Sequence, residues 1–295
     1  MPEMIVTVTE SGLTLEDFLQ RRIPAAPVAY LRKGIKDGKI RRGKDTDATL
    51  TAGERILLPD SRRLADLLVQ SAKMTVAILY ESDHLLIIDK PSGLATHAGQ
   101  GHEEDNLTAR VAELLKRRKE NFMAAPIQRL DRETSGVVLF GKGKKNCSVL
   151  GTMMMTQPVT KTYLALVKGK IAAGGTLADA IPAKGKIKTA VTSYQVLAAN
   201  DTASLLQIEL QTGRQHQIRR QFQRHGHPLY GDRRYGGPCP DTLPRLFLHC
   251  RQIAFIDPFS ATPLHITSPL PQDLIAFLQV SDLAFSKFHL SRLPA

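Results

Sequence analysis

From Thr75 onward the chain changes texture. Short apolar runs recur in adjacent pairs separated by turn residues, and this constrains the fold more than any other feature. Val76–Tyr80 and Leu85–Asp89 flank the turn residues Ser82–Asp83 and predict a hairpin. Further strands are expected near Gly136–Phe140, Thr160–Val167, Ala190–Leu197, Ser204–Leu210 and Phe247–Phe255. Helical spacing fits Leu107–Arg117, Lys144–Met155 and Arg214–Arg224, the last closed by Gly226 and Pro228. Strands outnumber helices and mostly neighbour one another in sequence. The expected class is therefore α+β, a largely antiparallel mixed sheet with flanking helices over residues 75–280, leaving 281–295 as a C-terminal tail.

The earlier part reads as a small α/β unit over residues 12–60, with 61–74 as a linker or connecting helix. Thr14 with Asp17 three residues on is a helix-start signature, and Leu15, Phe18 and Leu19 follow at helical spacing. After Pro24 and Pro27 a second helix fits Val28–Lys36, closed by Gly38. Short β segments are expected at Lys39–Ile40 and Arg55–Leu58, with Ala52–Gly53 as a turn. Arg32, Lys33, Lys36, Lys39, Arg41, Arg42 and Lys44 place seven cations within thirteen residues. Such a cluster suits a phosphate-binding face, the plainer option being a solvated helix surface. The arrangement, ending in Ala52-Gly-Glu-Arg-Ile56, resembles the small RNA-binding fold named after a ribosomal small-subunit protein. It departs from that fold at Arg41–Arg42–Gly43, where a Val-Asn-Gly is usual.

Charge narrows the partner. Over 295 residues, 40 Lys and Arg stand against 28 Asp and Glu, a net +12 that calls for a polyanion, either nucleic acid or an anionic membrane. The excess is concentrated, with +6 over 116–145 and +6 over 184–250, while 74–115 carries −5 and the chain beyond 250 is neutral. No apolar run approaches the roughly 20 residues of a bilayer-spanning helix, so no membrane role is expected. Met1–Glu10 contains acids and no Lys or Arg, unlike a signal or transit peptide. Cys147, Cys239 and Cys250 are odd in number and lack paired spacing, which points to a reducing, cytoplasmic setting without structural zinc. His225, His227 and the His249–Cys250 pair read as structural residues, and neither a metal nor a cofactor is expected.

Three segments could carry chemistry. In Gln128-Arg-Leu-Asp-Arg-Glu-Thr-Ser-Gly136, Asp131 lies between two arginines that would keep a partly buried carboxylate ionised, able to act as base or nucleophile. In Gly213-Arg-Gln-His-Gln-Ile-Arg219, polar residues crowd a helix start, with His216, Arg219 and Arg220 at spacings of one helix face. In Lys161-Thr-Tyr-Leu-Ala-Leu-Val167, alternation puts Thr162, Leu164 and Leu166 on one side and Tyr163, Ala165 and Val167 on the other. Tyr163 is one of few residues able to stack on a base. Taken singly, each segment has a plainer reading: a loop ion pair, a basic surface helix, a strand tyrosine.

Together they resemble the pseudouridine synthase family that modifies large-subunit ribosomal RNA. Lys90-Pro-Ser-Gly-Leu94, His227-Pro228 with Gly231-Asp232, and Leu248-His249 fit the same pattern, in order, over roughly 75–270. One departure is Gln128, where members usually show His. The resemblance implies isomerisation of uridine within RNA. By position it makes Asp131 the catalytic carboxylate, has Arg219 pair with Asp131, and has Tyr163 stack on the uracil and assist proton loss. Arg129 would fill the space of an extruded base, and Arg214, His216, Arg32, Lys33 and Lys36 would contact RNA. Three alternatives stay open: a non-catalytic RNA-binding assembly factor, transfer RNA as the substrate, and an RNA glycosylase using Glu133 as its second carboxylate.

Overall fold

A computed structural model describes residues 2–43, 49–99, 105–183, 186–281 and Leu283. Lys44 of the cationic cluster and most of the expected tail lie outside the described residues. The chain divides into two units, Met1–Thr75 and Val76–Ala295.

The first unit runs β1 (Glu3–Ile5), α1 (Leu15–Arg22), α2 (Val28–Lys36), β2 (Arg41–Arg42), β3 (Arg55–Leu57) and α3 (Arg62–Met74). Thr14 caps α1 by accepting the Asp17 amide at 3.1 Å, and Gly38, with φ +64°, ends the chain segment after α2. The antiparallel order β1-β3-β2 backs a core of Phe18, Leu19, Leu31 and Ile56. Two features move its limits outward from 12–60. β1 pairs with β3, and Leu64 and Leu67 of α3 are buried in the same core, so the segment read as a linker packs into the unit. A three-residue strand is too short to show alternation, and burial of α3 depends on contacts that its own periodicity does not name.

The second unit runs β4 (Ala77–Glu81), β5 (Leu85–Lys90), α4 (Leu107–Arg117), β6 (Ala124–Pro126), β7 (Ser135–Lys142), α5 (Gly143–Thr156) and β8 (Thr160–Lys168). It continues with β9 (Gly175–Ala183), β10 (Lys186–Ala199), β11 (Ala203–Leu210), α6 (Gln217–Arg224), β12 (Leu248–Ile256), β13 (Pro263–Thr267) and α7 (Gln272–Val280). The sheet order is β4-β5-β7-β12-β8-β11-β10-β9, with β6 beside β7 and β13 beside β12. Among the described residues every strand pairing of this unit is antiparallel except β7 with β12. The α+β class is as expected.

Burial follows side-chain pattern. β7 is buried along its whole length, as its apolar run requires, and β8 is buried from Thr162 to Val167, its alternate side chains entering two different cores. Tyr163, Ala165 and Val167 join the main core with Ile218 and Phe222 of α6. Leu164 and Leu166 face a second core with Leu274 and Phe277 of α7. One strand thus ties both cores to the residues beside the site.

The single parallel pairing has a steric condition. Gly136 sits at φ +112°, and a Cβ there would lie 2.1 Å from the carbonyl oxygen of Cys250. Only glycine lets β7 reach β12 at this register, Gly136 opposite Cys250 and Ser135 opposite His249.

Candidate active site

The loop carrying Asp131 is held through its backbone. The fully buried Lys90 donates from Nζ to the carbonyls of Leu94 at 2.7 Å, Pro91 at 3.0 Å and Arg132 at 3.1 Å. Gly93 N–H also reaches the Arg132 carbonyl, and Ser92 Oγ donates to that of Glu133 at 2.7 Å. Thr96 Oγ1 both donates to the Leu130 carbonyl and accepts the Leu130 amide. The Lys-Pro-Ser-Gly-Leu string is therefore a cradle for residues 130–133. Burial pushes the Lys90 ammonium down to about 7, opposed by the charge of Asp131.

Gln128 fills the position where the resembling family shows His. Its amide donates to the Val137 carbonyl and accepts the Leu139 amide, both at 3.3 Å, which fastens the loop entry to β7. At the loop exit, Ser135 Oγ stands 3.0 Å from His249 Nδ1 and accepts from Arg245 at 3.0 Å.

α6 approaches from the other side, and its start differs from expectation. The helix begins at Gln217, not Arg214, because His216 adopts the left-handed conformation (φ +53°, ψ +30°) and interrupts it. Gln217 stabilises this start by accepting the Arg214 amide and the Thr212 hydroxyl at 2.9 Å each, while donating to Thr192 and the Val191 carbonyl. Ile218 and Phe222 enter the core, leaving Arg219 buried on the site side at 4 % exposure.

Two groups of this segment converge on Asp131, whose side chain is 27 % exposed. Arg219 Nη1 lies 3.6 Å from Oδ2 and His216 Nε2 lies 3.6 Å from Oδ1. Arg219 pairs with Asp131 at this distance, as the resemblance implied, and it has a closer partner as well. Its Nε and Nη2 donate to both oxygens of the fully buried Asp232, at 2.7 and 2.8 Å, and Nη2 also lies 3.7 Å from Glu133. A planar guanidinium fits such a two-point grip, and this leaves its third nitrogen facing Asp131. Asp232 is the functional neighbour that sequence reasoning missed. The Gly231-Asp232 string signalled it, yet nothing in a spacing of thirteen residues names its partner.

Tyr163 is buried on the same side of the sheet. Burial, then the hydrogen-bonded Cys250 thiol, then the Asp131 charge hold its phenol well above the usual range. It therefore stays protonated. Arg129 is exposed and stands near His97, whose imidazole is lowered by burial and by that cation. Arg214 is half-buried, its Nε without a hydrogen-bond partner among the described residues.

Arg32, Lys33 and Lys36 lie in the first unit. Arg32 is held by Glu16 at 2.8 and 2.9 Å, and Arg42 turns inward onto Glu54. The cationic surface there is accordingly smaller than the string of cations suggested, with Lys33, Lys36, Lys39 and Arg41 exposed. Among the described residues no cluster of three His, Cys, Asp or Glu could hold a metal ion, and no helix is long and apolar enough to cross a membrane.

Residues 84–224 match the family model described as RNA pseudouridylate synthase. The chain is 35 % identical to ribosomal large subunit pseudouridine synthase D of Nitrosomonas europaea, over 94 % of this chain and 87 % of that protein. The chain belongs to the RNA pseudouridine synthase family. Ribosomal large subunit pseudouridine synthase C of Escherichia coli is 30 % identical over 93 % of this synthase and 94 % of its own length. Among solved structures, human RNA pseudouridylate synthase domain containing 4 superposes with a TM-score of 0.57 at 24 % identity, covering 74 % of this synthase and 95 % of that chain. That likeness is one of fold. Residues 84–224 include Asp131, Tyr163, His216 and Arg219 but stop short of Asp232.

Proposed function

We propose that this synthase isomerises specific uridines of large-subunit ribosomal RNA to pseudouridine, in the cytoplasm, with Asp131 as the reacting carboxylate. The observation that carries the reading is the seating of Asp131: a part-exposed carboxylate on a loop pinned by Lys90, Ser92 and Thr96, faced at 3.6 Å by a buried arginine. A fixed, partly desolvated carboxylate beside a cation suits attack on, or proton removal from, a ribose. In the isomerisation the bond from uracil N1 to ribose C1′ breaks and one from C5 to C1′ forms. A proton leaves C5 and N1 gains one, so no redox or phosphoryl step is needed.

Each other residue has a part. Arg219 sets the charge beside Asp131. Tyr163, protonated by its burial, serves as a stacking platform and hydrogen-bond donor. A uridine must be extruded to reach the carboxylate, at a cost of a few kcal/mol, and Arg129 at the exposed loop entry fills the vacated stack. Arg214 and His216 line the approach. The first unit is read as an RNA-binding domain over residues 12–60 and its flanks, with Lys33 and Lys36 on phosphates and Arg32, still exposed although held by Glu16, beside them on α2. The ribosomal target follows the names of the relatives.

The test is to map pseudouridine in cellular RNA with and without the protein, and with Asp131→Asn. Loss at large-subunit sites in both cases is expected. Loss confined to transfer RNA would move the substrate, free uracil and abasic RNA would mean a glycosylase, and full modification by Asp131→Asn would end the mechanism.

A further inference from the structure

His216 is placed for more than lining an RNA path. Its Nδ1 lies 3.0 Å from the hydroxyl of Tyr235, and that same hydroxyl lies 3.0 Å from Nε of Arg220. A guanidinium can only donate, so the phenol oxygen accepts from Arg220. Its own proton is then free to be given to His216 Nδ1, an arrangement that makes Nδ1 an acceptor and puts the imidazole proton on Nε2. Nε2 is the atom that faces Asp131 Oδ1 at 3.6 Å, while Arg219 faces Oδ2 at the same distance. Such a spacing is longer than a hydrogen bond and is of the kind that tightens in a substrate complex.

The supports of this arrangement share one carboxylate. Asp232 grips Arg219 and also accepts the Tyr235 amide at 3.1 Å, so the guanidinium and the phenol are set by one buried group. Arg219 and Arg234 stand over the Tyr235 ring at 5.1 and 5.9 Å from its centroid. The left-handed backbone at His216 aims the ring outward from the helix start, a conformation that His tolerates better than most residues.

We propose that His216 donates a hydrogen bond through Nε2 to Asp131 and so fixes the plane of the reacting carboxylate, and that Tyr235 selects the tautomer able to do this. His216 and Arg219 take one lone pair on each oxygen and leave the others for the ribose. This rests on the reading of Asp131 given above. The groups facing His216 are Asp131 from the loop before β7, Arg219 and Arg220 from α6, and Arg234 and Tyr235 from the short turn after Asp232. Burial first, then the three arginines, lower its pKa against the pull of Asp131, so the imidazole is a neutral donor at neutral pH.

The experiment is single-turnover conversion of a large-subunit ribosomal RNA transcript across pH, with RNA affinity measured alongside. Three variants are compared with wild type, and Asp131→Asn serves as reference. His216→Asn suits the left-handed backbone but is too short to reach Asp131, and it should slow conversion about 100-fold with affinity changed less than about threefold. His216→Gln carries an N–H far enough and should recover about tenfold or more of that loss. Tyr235→Phe removes the hydroxyl that holds the ring proton on Nε2, so conversion should fall at neutral pH and recover relative to wild type as pH drops and an imidazolium restores the Nε2 donor. A merely structural role would lower the rate by the same factor at every pH. Equal loss in His216→Asn and His216→Gln, or a loss in Tyr235→Phe that does not shrink relative to wild type as pH falls, would overturn the proposal. Wild-type conversion by Asp131→Asn would instead overturn the reading beneath it.

Discussion

At the scale of the residue, the two acids around Arg219 do different work. Asp232 is fully buried and hydrogen-bonded at 2.7 and 2.8 Å, whereas Asp131 is part-exposed at 3.6 Å. Asp232→Asn should therefore cost about 3–5 kcal/mol in a denaturation experiment, by leaving a buried guanidinium without its main counter-charge. Asp131→Asn should stay within about 1 kcal/mol of wild type while losing turnover. A comparable stability loss in both would mean that Asp131 is structural. His249 supplies a pH effect. Burial drives its pKa down to about 4, so the native state holds it neutral while the unfolded chain binds a proton near 6.5. Its contribution is complete above about 6.5 and fades as pH falls towards 4, by up to about 3 kcal/mol. Urea titrations from pH 4 to 7 should show that slope, and His249→Gln should flatten it. Asp131 and Arg219 were legible in the sequence because each sits in a dense polar string. The roles of Asp232 and Tyr235 were not, because their partners are brought to them only by tertiary folding.

At the scale of the element, the strands with strong apolar content and the helices with clear caps were legible. α2 and α4 fall where spacing put them. β9 and β13 were missed for a physical reason: Gly-Thr-Leu-Ala-Asp-Ala-Ile-Pro-Ala and Pro-Leu-His-Ile-Thr have weak strand preference, and pairing with β10 and β12 makes them strands. α7, which buries Leu274, Phe277 and Leu278 in the second core, was missed because its mostly apolar run shows little periodicity. The start of α6 was misread since a single left-handed residue leaves no mark in spacing. The element most sensitive to one substitution is β7. Gly136→Ala combines a 2.1 Å clash with the Cys250 carbonyl and a strained φ of +112°, so a loss above about 4 kcal/mol is expected, read as a large fall in Tm. A fall of only a degree or two would show that β12 can shift to admit the methyl group.

At the scale of the whole molecule, the net +12 separates into a site and a second surface. Residues 116–145 and 184–250, which carry Asp131 and Arg219, hold +6 each, and the first unit adds its own exposed lysines. Lys33→Glu with Lys36→Glu should weaken RNA binding and lower the slope of log affinity against log salt by about one per lost contact, leaving single-turnover conversion of bound RNA unchanged. An unaltered slope would remove the first unit from the RNA contact. The parallel pairing of β7 with β12 has a temporal meaning as well. It joins Ser135 to His249 across more than a hundred residues of chain, so the loop bearing Asp131 gains its far wall only after β12 has been made. Long-range pairings of this kind form late. A chain still emerging from a ribosome would thus expose its basic surfaces to RNA before it could modify any, and chemistry would begin only once β12 has emerged and paired.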